Sequence, residues 1–243
     1  MKYSIIIPMY NEKKIVEQSA KTLSAYCAER FSSECEILFV NDGSTDGCEK
    51  LLDALALPNV RLLGYEKNRG KGYAVRTGML AARGEFRLFT DTDLAYGTEV
   101  IGEAFSLWEA DPSVDLVIGS RRLAEDGYEG YTFPRRLASK AYLWLLRTLG
   151  GFRFSDSQSG FKGFSARAAE RIFPLCETDR FAFDFEALSY ASRMKMKVKE
   201  MPIRVLVHGE SKIRLVGDSV KMFGDILKIR RRVKRKMKEQ SHA

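Results

Sequence analysis

Histidine is scarce in this chain. His208 and His242 are the only two among 243 residues, so a histidine dyad or a His-rich metal centre has little material. Cysteine is scarce too. Cys27, Cys35, Cys48 and Cys176 show no C-x-x-C spacing and stand beside no histidine pair. They read as reduced thiols of a cytosolic protein, with no zinc site expected. No run of 18 apolar residues is available to span a membrane. The apolar stretch SIIIP is too short for a secretory core and lacks a cleavage site, so the chain is expected to start directly at a first strand. Both common glycine-rich phosphate fingerprints, G-x-x-x-x-G-K-[ST] and G-x-G-x-x-G, are missing. There is no internal repeat, low-complexity tract or linker.

What the chain does have is a large apolar fraction, 45%, ample for one continuous α/β domain. Its net charge of +8 is uneven: Lys228 to Lys238 holds eight Lys or Arg and no acid. Apolar residues recur there at helical spacing, as Val216, Val220, Phe223 and Leu227, and as Ile226, Ile229, Val233 and Met237. Two readings follow: a terminal helix packed on the domain with a solvated charged end, or a helix lying on an anionic membrane surface. No nucleic-acid motif accompanies the charge, and no nucleic-acid partner is expected. The division predicted is a domain over 1–214 and a basic amphipathic helix and tail over 215–243.

The first half alternates strands and helices. Strands are predicted over 3–8, 36–40, 60–65 and 86–89. Helices are predicted over 12–30, with Asn11 as cap, over a stretch ending near Leu57, and over 72–83. This rhythm implies a mainly parallel sheet with right-handed crossovers. The second half predicts helices over 100–108, 136–149, 166–173 and 181–194, and strands over 114–120, 198–202 and 203–207. Ligands in such sheets bind at the carboxyl ends of the strands, where the polar clusters MYNE, NDGS and DTD fall.

The fourth strand ends in FTDTDL, with Asp91 and Asp93 two positions apart. On a continued strand both would point to one face and repel unless a positive group lay between them. They suit a divalent cation, an acid/base pair, or a solvated structural role. A hard cation takes one or two carboxylates together with phosphate oxygens, which implies a diphosphate ligand. The loop KNRGKGYA, 67–74, opens a helix at a neighbouring strand end. Gly70 and Gly72 permit close backbone approach, Lys71 brings charge, and the helix N-terminus favours an anion.

IIIPMYNE, VNDGSTDG, NRGKGYAVRTGMLAARGE, TDTDL, IGSR, DSQSGFKGF and FDFE stand in an order that resembles the inverting family-2 glycosyltransferases of GT-A fold. The resemblance runs from about Lys2 to Arg231. The wording is most similar to the dolichyl-phosphate (polyprenyl-phosphate) β-glucosyltransferase branch, with the mannosyl-transferring branch next. It implies a Rossmann-like three-layer α/β sandwich with a mainly parallel central sheet.

By position, the resemblance implies that Pro8, Tyr10, Glu12 and Asp42 hold the nucleoside, and that Gly70 and Lys71 lie near the base and diphosphate. Asp91 and Asp93 match the pair that binds ribose and a Mg²⁺ or Mn²⁺ ion. Gly119, Ser120 and Arg121 match the acceptor side, and Arg135 with Ser139 matches a pair that grips a lipid phosphate. Asp156, Gln158 and Gly160 match the sugar pocket, and Asp184 with Glu186 an acidic pair on the following helix. The HGESK segment, with Lys212 and Arg214, resembles a segment that closes over the diphosphate. Two positions depart from the mannosyl branch: Ala95 stands where a third metal ligand can be, and Leu206 where an Arg is found.

The reaction so implied is transfer of a hexose, glucose from UDP-glucose first, onto a polyprenyl monophosphate by a peripheral protein on the inner, cytoplasmic face of the membrane. The alternatives are a GDP-mannose-dependent mannosyltransferase, or a soluble relative acting on a glycan or protein hydroxyl. Arg121, Asp156 and Asp184 are the candidate catalytic residues. A hydroxyl acceptor would need a carboxylate base, and Asp156 and Asp184 stay equal candidates for it. His208 reads as structural, and Trp108 as a packing residue.

Overall fold

The computed structural model describes residues 1–125, 148–149, 151–152, 154–180, 182–206 and 217–240, with side chains of the last segment from 224 onward. Arg135, Ser139, His208, Lys212 and Arg214, and the helix expected over 136–149 apart from residues 148 and 149, lie outside the described residues.

Seven strands form one sheet: β1 (Tyr3–Met9), β2 (Cys35–Asp42), β3 (Val60–Tyr65), β4 (Phe86–Phe89), β5 (Leu116–Ser120), β6 (Lys162–Ser165) and β7 (Val198–Pro202). The order is β3-β2-β1-β4-β6-β5-β7. Only β6 runs antiparallel to its neighbours, β4 and β5; every other pair is parallel. The helices are α1 (Val16–Phe31), α2 (Cys48–Ala54), α3 (Lys71–Ala81), α4 (Glu99–Ala110), α5 (Ala166–Ile172), α6 (Phe183–Arg193) and α7 (Gly217–Gln240).

Side-chain alternation along the strands builds two cores. In β1, Ile5 and Ile7 face one side and Ile6 the other. The first side packs α1, α2 and α4 through Val16, Leu23, Leu52, Phe105 and Trp108. The second packs α3, α5, α6 and α7 through Val75, Ala169, Leu188 and Ile229. The result is three layers with both sheet faces covered, as a parallel sheet requires. Trp108 is fully buried, donates from Nε1 to the Val114 carbonyl at 3.1 Å, and fits only because residue 163 is glycine: a Cβ there would stand 2.0 Å from its ring.

The long basic helix belongs to this core. Ile226, Ile229 and Val233 are buried in the same cluster as Ile6 and Phe89, with Met237 partly buried against it. Lys228, Arg230, Arg231, Lys234, Arg235 and Lys238 are exposed on its other side. One of the two apolar stripes read from the sequence is therefore covered by protein and is not free to enter lipid. Among the described residues no helix is long and apolar enough to cross a membrane.

Several expected elements shift. Residues 203–206 form no strand. Ile203 N–H instead donates to the Ser120 carbonyl at 3.1 Å, and Leu206 N–H to the Ala95 carbonyl at 2.7 Å, which lays this segment beside the Asp91–Asp93 turn. Helix α1 begins at Val16, not at residue 12, and no side chain caps it. Asn11, at φ 54°, uses its Oδ1 to accept from Thr45 N–H at 2.8 Å instead. That bond ties the loop after β1 to the loop after β2.

Candidate active site

Strands β1, β2 and β4 are mutually parallel where they touch, so their carboxyl ends share one edge of the sheet. The loops there are stitched together. Asn11 N–H donates to Ser44 Oγ at 3.0 Å, Lys13 N–H to Asp46 Oδ2 at 2.9 Å, and Thr92 Oγ1 to the Pro8 carbonyl at 3.0 Å. Tyr10 stands 41% exposed on this edge. Glu12 is partly buried, and its carbonyl accepts the first turn of the following helix from Ile15 and Val16.

Asp42 ends β2 and is 3% exposed. Its carboxylate accepts from Tyr65 Oη at 2.7 Å, Asn68 Nδ2 at 2.8 Å, Arg69 N at 2.8 Å and Gly70 N at 2.8 Å. Four protein donors fill what one carboxylate can accept. In this conformation Asp42 acts on the cleft through the 66–70 loop that it holds, not through a free oxygen. Its charge and the burial of the phenol push the Tyr65 pKa up, burial being the larger cause.

The glycines of the 67–74 loop serve a different purpose from the one expected. Gly70 has φ 109°, and a Cβ on it would stand 2.6 Å from the Asp179 carbonyl. A Cβ on Gly72 would stand 2.5 Å from the Thr178 carbonyl and 2.6 Å from Phe183 Cβ. Tyr73 N–H donates to the Asp179 carbonyl at 3.1 Å. The N-terminus of α3 is thus covered by the 176–180 segment and is not an open anion cradle. Asp179 also receives Arg69 Nη2 at 2.9 Å and Arg76 Nη2 at 3.1 Å, and the Arg69 guanidinium lies 3.6 Å over the Tyr73 ring. Lys71 is the member of this loop that reaches the aspartates.

Strand β4 ends at Phe89, so Asp91 and Asp93 sit on the turn after it and do not share a strand face. Asp91 is half-buried and forms an ion pair with Lys71 Nζ. Its other side lies against Gly160, where a Cβ would stand 2.1 Å from Asp91 Oδ2. Burial works against the Lys71 charge, but Asp91 and Asp184 outweigh it and hold its pKa above the ordinary value. Asp93 is exposed and accepts Ala95 N–H at 3.1 Å. Although the residue as a whole is exposed, partial desolvation of its carboxyl by the surrounding protein, and then the Asp91 charge, push the Asp93 pKa up. Two neighbouring hard carboxylates, with a lysine beside Asp91, suit a divalent cation bound together with a diphosphate.

Arg121 follows β5 and clamps Asp156: Nε donates to Oδ2 at 2.6 Å and Nη2 to Oδ1 at 3.0 Å. Burial alone would raise the Asp156 pKa, yet the Arg121 bonds outweigh it and hold it below the usual range. A carboxylate so held is a poor proton acceptor, which separates the two base candidates. Asp184 is 7% exposed, with Lys162 Nζ 3.0 Å from Oδ1. That oxygen accepts no well-directed hydrogen bond among the described residues. Burial pushes the Asp184 pKa up, and the Lys162 and Lys71 charges only partly counter it. Glu186 does not join Asp184. It points the opposite way, accepting Glu177 N–H at 3.0 Å and Thr178 N–H at 2.7 Å.

Three parts of the site escaped the sequence reading. Lys162 is 1% exposed and bonds the Ser159 carbonyl at 2.5 Å; a lysine inside the apolar stretch GFKGF is the signal that marks it. Tyr96 Oη accepts Gly160 N–H at 3.1 Å, and burial pushes its phenol up to about 12. Glu200 on β7 accepts both Ser155 N–H and Ser155 Oγ at 2.6 Å, fixing the segment that carries Asp156.

Comparison with known proteins gives the family and the fold. The family model for Glycosyl transferase family 2 matches residues 4–173. A dolichyl-phosphate beta-glucosyltransferase of Trichomonas vaginalis is 32% identical over 236 residues, covering 93% of this chain and 70% of that protein. The dolichyl-phosphate beta-glucosyltransferase of Saccharomyces cerevisiae is 33% identical, covering 93% of this chain and 73% of its own length. Among solved structures, glucosyl-3-phosphoglycerate synthase from Mycobacterium tuberculosis superimposes with a TM-score of 0.69 at 16% identity, over 96% of this chain and 78% of that one. At that identity the likeness is one of fold, and the fold is GT-A.

Proposed function

The chain belongs to glycosyl transferase family 2, and from that premise we propose that it moves glucose from UDP-glucose onto a dolichyl or related polyprenyl monophosphate. The relatives that match it over most of its length carry that activity in their names. The observation that carries the reading is the packing of Asp91 between Lys71 and Gly160, which joins the donor loop, the acidic turn and the sugar-pocket segment at one point. Ala95 and Leu206, which depart from the mannosyl pattern, support glucose over mannose.

Asp91 and Asp93 would hold Mg²⁺ or Mn²⁺; solved structures of the Mycobacterium tuberculosis synthase of the same fold contain UDP with one ion or the other. When bound, the ion supplies positive charge to the departing diphosphate. Lys71 adds its own charge beside Asp91, with Lys212 as a second cation from the sequence reading. Tyr10, Pro8 and Glu12 line the nucleoside side, and Asp42 and Gly70 shape its floor. Arg121, held by Asp156, borders the acceptor side, and the resemblance assigns the lipid phosphate to Arg135 and Ser139.

In the transfer, an oxygen of the lipid phosphate attacks the anomeric carbon and forms the new C–O bond. The bond from that carbon to the diphosphate breaks, UDP leaves with the electron pair, and the configuration inverts. A phosphate with a second pKa of about 6 is already largely deprotonated at neutral pH, so no strong base is needed. Asp184 orients groups at the sugar and, for a hydroxyl acceptor, would be the base. The exposed basic side of α7 meets the anionic surface in which the acceptor sits, and the protein works peripherally on the cytoplasmic face.

The test is a donor panel. Purified protein with Mn²⁺ and short-chain polyprenyl phosphate is given labelled UDP-glucose, UDP-galactose or GDP-mannose. Label passing into organic solvent from UDP-glucose first is expected. A preference for GDP-mannose would overturn the sugar, and turnover only onto soluble glycans would overturn the acceptor.

A further inference from the structure

Glu186 is fully buried, and among the described residues its hydrogen bonds and ion pair reach neither the aspartates nor the sugar-pocket segment. Burying a carboxylate this deeply is costly unless it is paired and hydrogen-bonded. Its Oε1 receives Arg232 of α7, with Nε at 2.9 Å and Nη2 at 2.7 Å. Its Oε2 receives the backbone N–H groups of Glu177 and Thr178. Arg232 Nη2 reaches Thr178 Oγ1 as well, at 2.7 Å. One turn on, Lys236 donates to the Leu175 carbonyl at 3.0 Å and pairs with Glu177.

The segment held in this way, 176–180, is the one pressed on the start of α3. Its Thr178 carbonyl fills the space a Gly72 side chain would need, and its Asp179 carbonyl accepts Tyr73 N–H. Lys71 lies between Gly70 and Gly72 and pairs with Asp91. A continuous set of contacts therefore runs from Arg232 through Glu186 and the 176–180 strap to Lys71 and the acidic turn.

We propose that Arg232 and Glu186 are positioning residues for donor binding. The terminal helix fixes the strap, the strap sets the start of α3, and Lys71 is thereby presented to the diphosphate. The inference rests on the donor-site reading above. It gives the second acid of FDFE a role away from the ligand, and it makes the basic helix a working part of the donor site.

A double-mutant cycle on binding of UDP with Mn²⁺, read by calorimetry, tests this without any acceptor. Arg232→Lys keeps the charge but loses the forked contact to Glu186 and Thr178. It is expected to weaken UDP–Mn²⁺ binding by about tenfold, while in a Lys71→Ala background the same change costs less than about twofold. The donor KM should rise with the acceptor KM unchanged. If Arg232→Lys does not fold, Thr178→Val, which leaves the Arg232–Glu186 pair intact, is read in the same cycle. Equal losses with and without Lys71, or unchanged binding in the single variant, would overturn the positioning role. A wild-type chain that binds UDP–Mn²⁺ but transfers no glucose overturns the proposed acceptor alone; one that does not bind UDP–Mn²⁺ overturns both.

Discussion

Replacing Gly160 by alanine puts one methyl group where the Asp91 carboxylate lies. The added Cβ would stand 2.1 Å from Oδ2 and 2.9 Å from Cγ, whereas ordinary contact begins at 3.4 Å. The carboxylate must therefore retreat by roughly 1 Å or more, and a misplacement of about 1 Å at a reacting site costs on the order of 100-fold in rate. The fold should tolerate the change. Gly160 has no left-handed φ, and the atom displaced is the end of a half-buried side chain. Gly160 is itself buried, so a small stability loss is expected, at or below the lower end of the roughly 1–3 kcal/mol that overpacking costs, because the displaced carboxylate can move toward solvent. Gly163→Ala is the matched control three residues on. Its methyl would strike the buried Trp108 ring at 2.0 Å, with no exposed side to yield. Overpacking of that kind costs roughly 1–3 kcal/mol. Thermal unfolding and steady-state transfer on the two variants should split cleanly: activity lost with melting kept for Gly160→Ala, melting lowered for Gly163→Ala. Near-normal turnover in Gly160→Ala would refute the claim that Asp91 must lie where it does.

Further expectations rest on separate observations. Asp93→Ala should abolish metal-stimulated turnover and leave melting unchanged, because Asp93 is exposed and among the described residues its carboxylate accepts only Ala95 N–H; unchanged metal titration would remove it from the metal site. Asp156→Asn should lower stability at neutral pH. The folded pKa of Asp156 is held below the unfolded value, so its contribution is full above about pH 4 and fades as pH falls through the folded pKa. The wild-type and variant melting curves should thus converge in acid, and a constant gap would contradict the Arg121 clamp. Changing Lys228, Arg231, Lys234 and Arg235 to Gln should weaken binding to anionic vesicles by about 1 kcal/mol per charge, measured by cosedimentation; equal binding would leave that face merely solvated. Arg135→Ala should raise the acceptor KM and leave the donor KM alone.

The strand and helix order was legible because the first half alternates β-branched runs with glycine- and asparagine-rich turns, each close to its structural element. The mainly parallel sheet followed from that rhythm, and the three layers from the resemblance to GT-A glycosyltransferases. Ile203 to Leu206 misled because an apolar stretch after β7 reads as strand, while its backbone is bonded to Ser120 and Ala95 instead. Asn11 carried a cap signal, yet a tertiary partner, Thr45, took its side chain. At the site, residue types at strand ends were readable and their pairing was not. That Lys71 meets Asp91, that Arg121 locks Asp156, and that Asp42 is spent on its own loop all depend on contacts between residues far apart in the chain. Glycine was the least transparent signal. Gly70 and Gly72 look like a phosphate cradle in sequence, and in the fold they make room for the carbonyls of Asp179 and Thr178. The terminal helix shows the same limit: its basic charge was plain, but Ile229 and Val233 lie in the domain core. Removing them with residues 228–243 would strip about 3–6 kcal/mol of burial, so such a truncation tests folding before it tests membrane contact.

The most direct measurement is the anomeric configuration of the lipid product. Wild-type protein is incubated with UDP-glucose, in which the sugar is α-linked, and with short-chain polyprenyl phosphate, and the purified product is analysed by NMR. A β-linked glucosyl phospholipid is expected from a single in-line displacement at the site built by Lys71, Asp91 and Asp93. An α-linked product, or glucose recovered only in the aqueous phase, would contradict it.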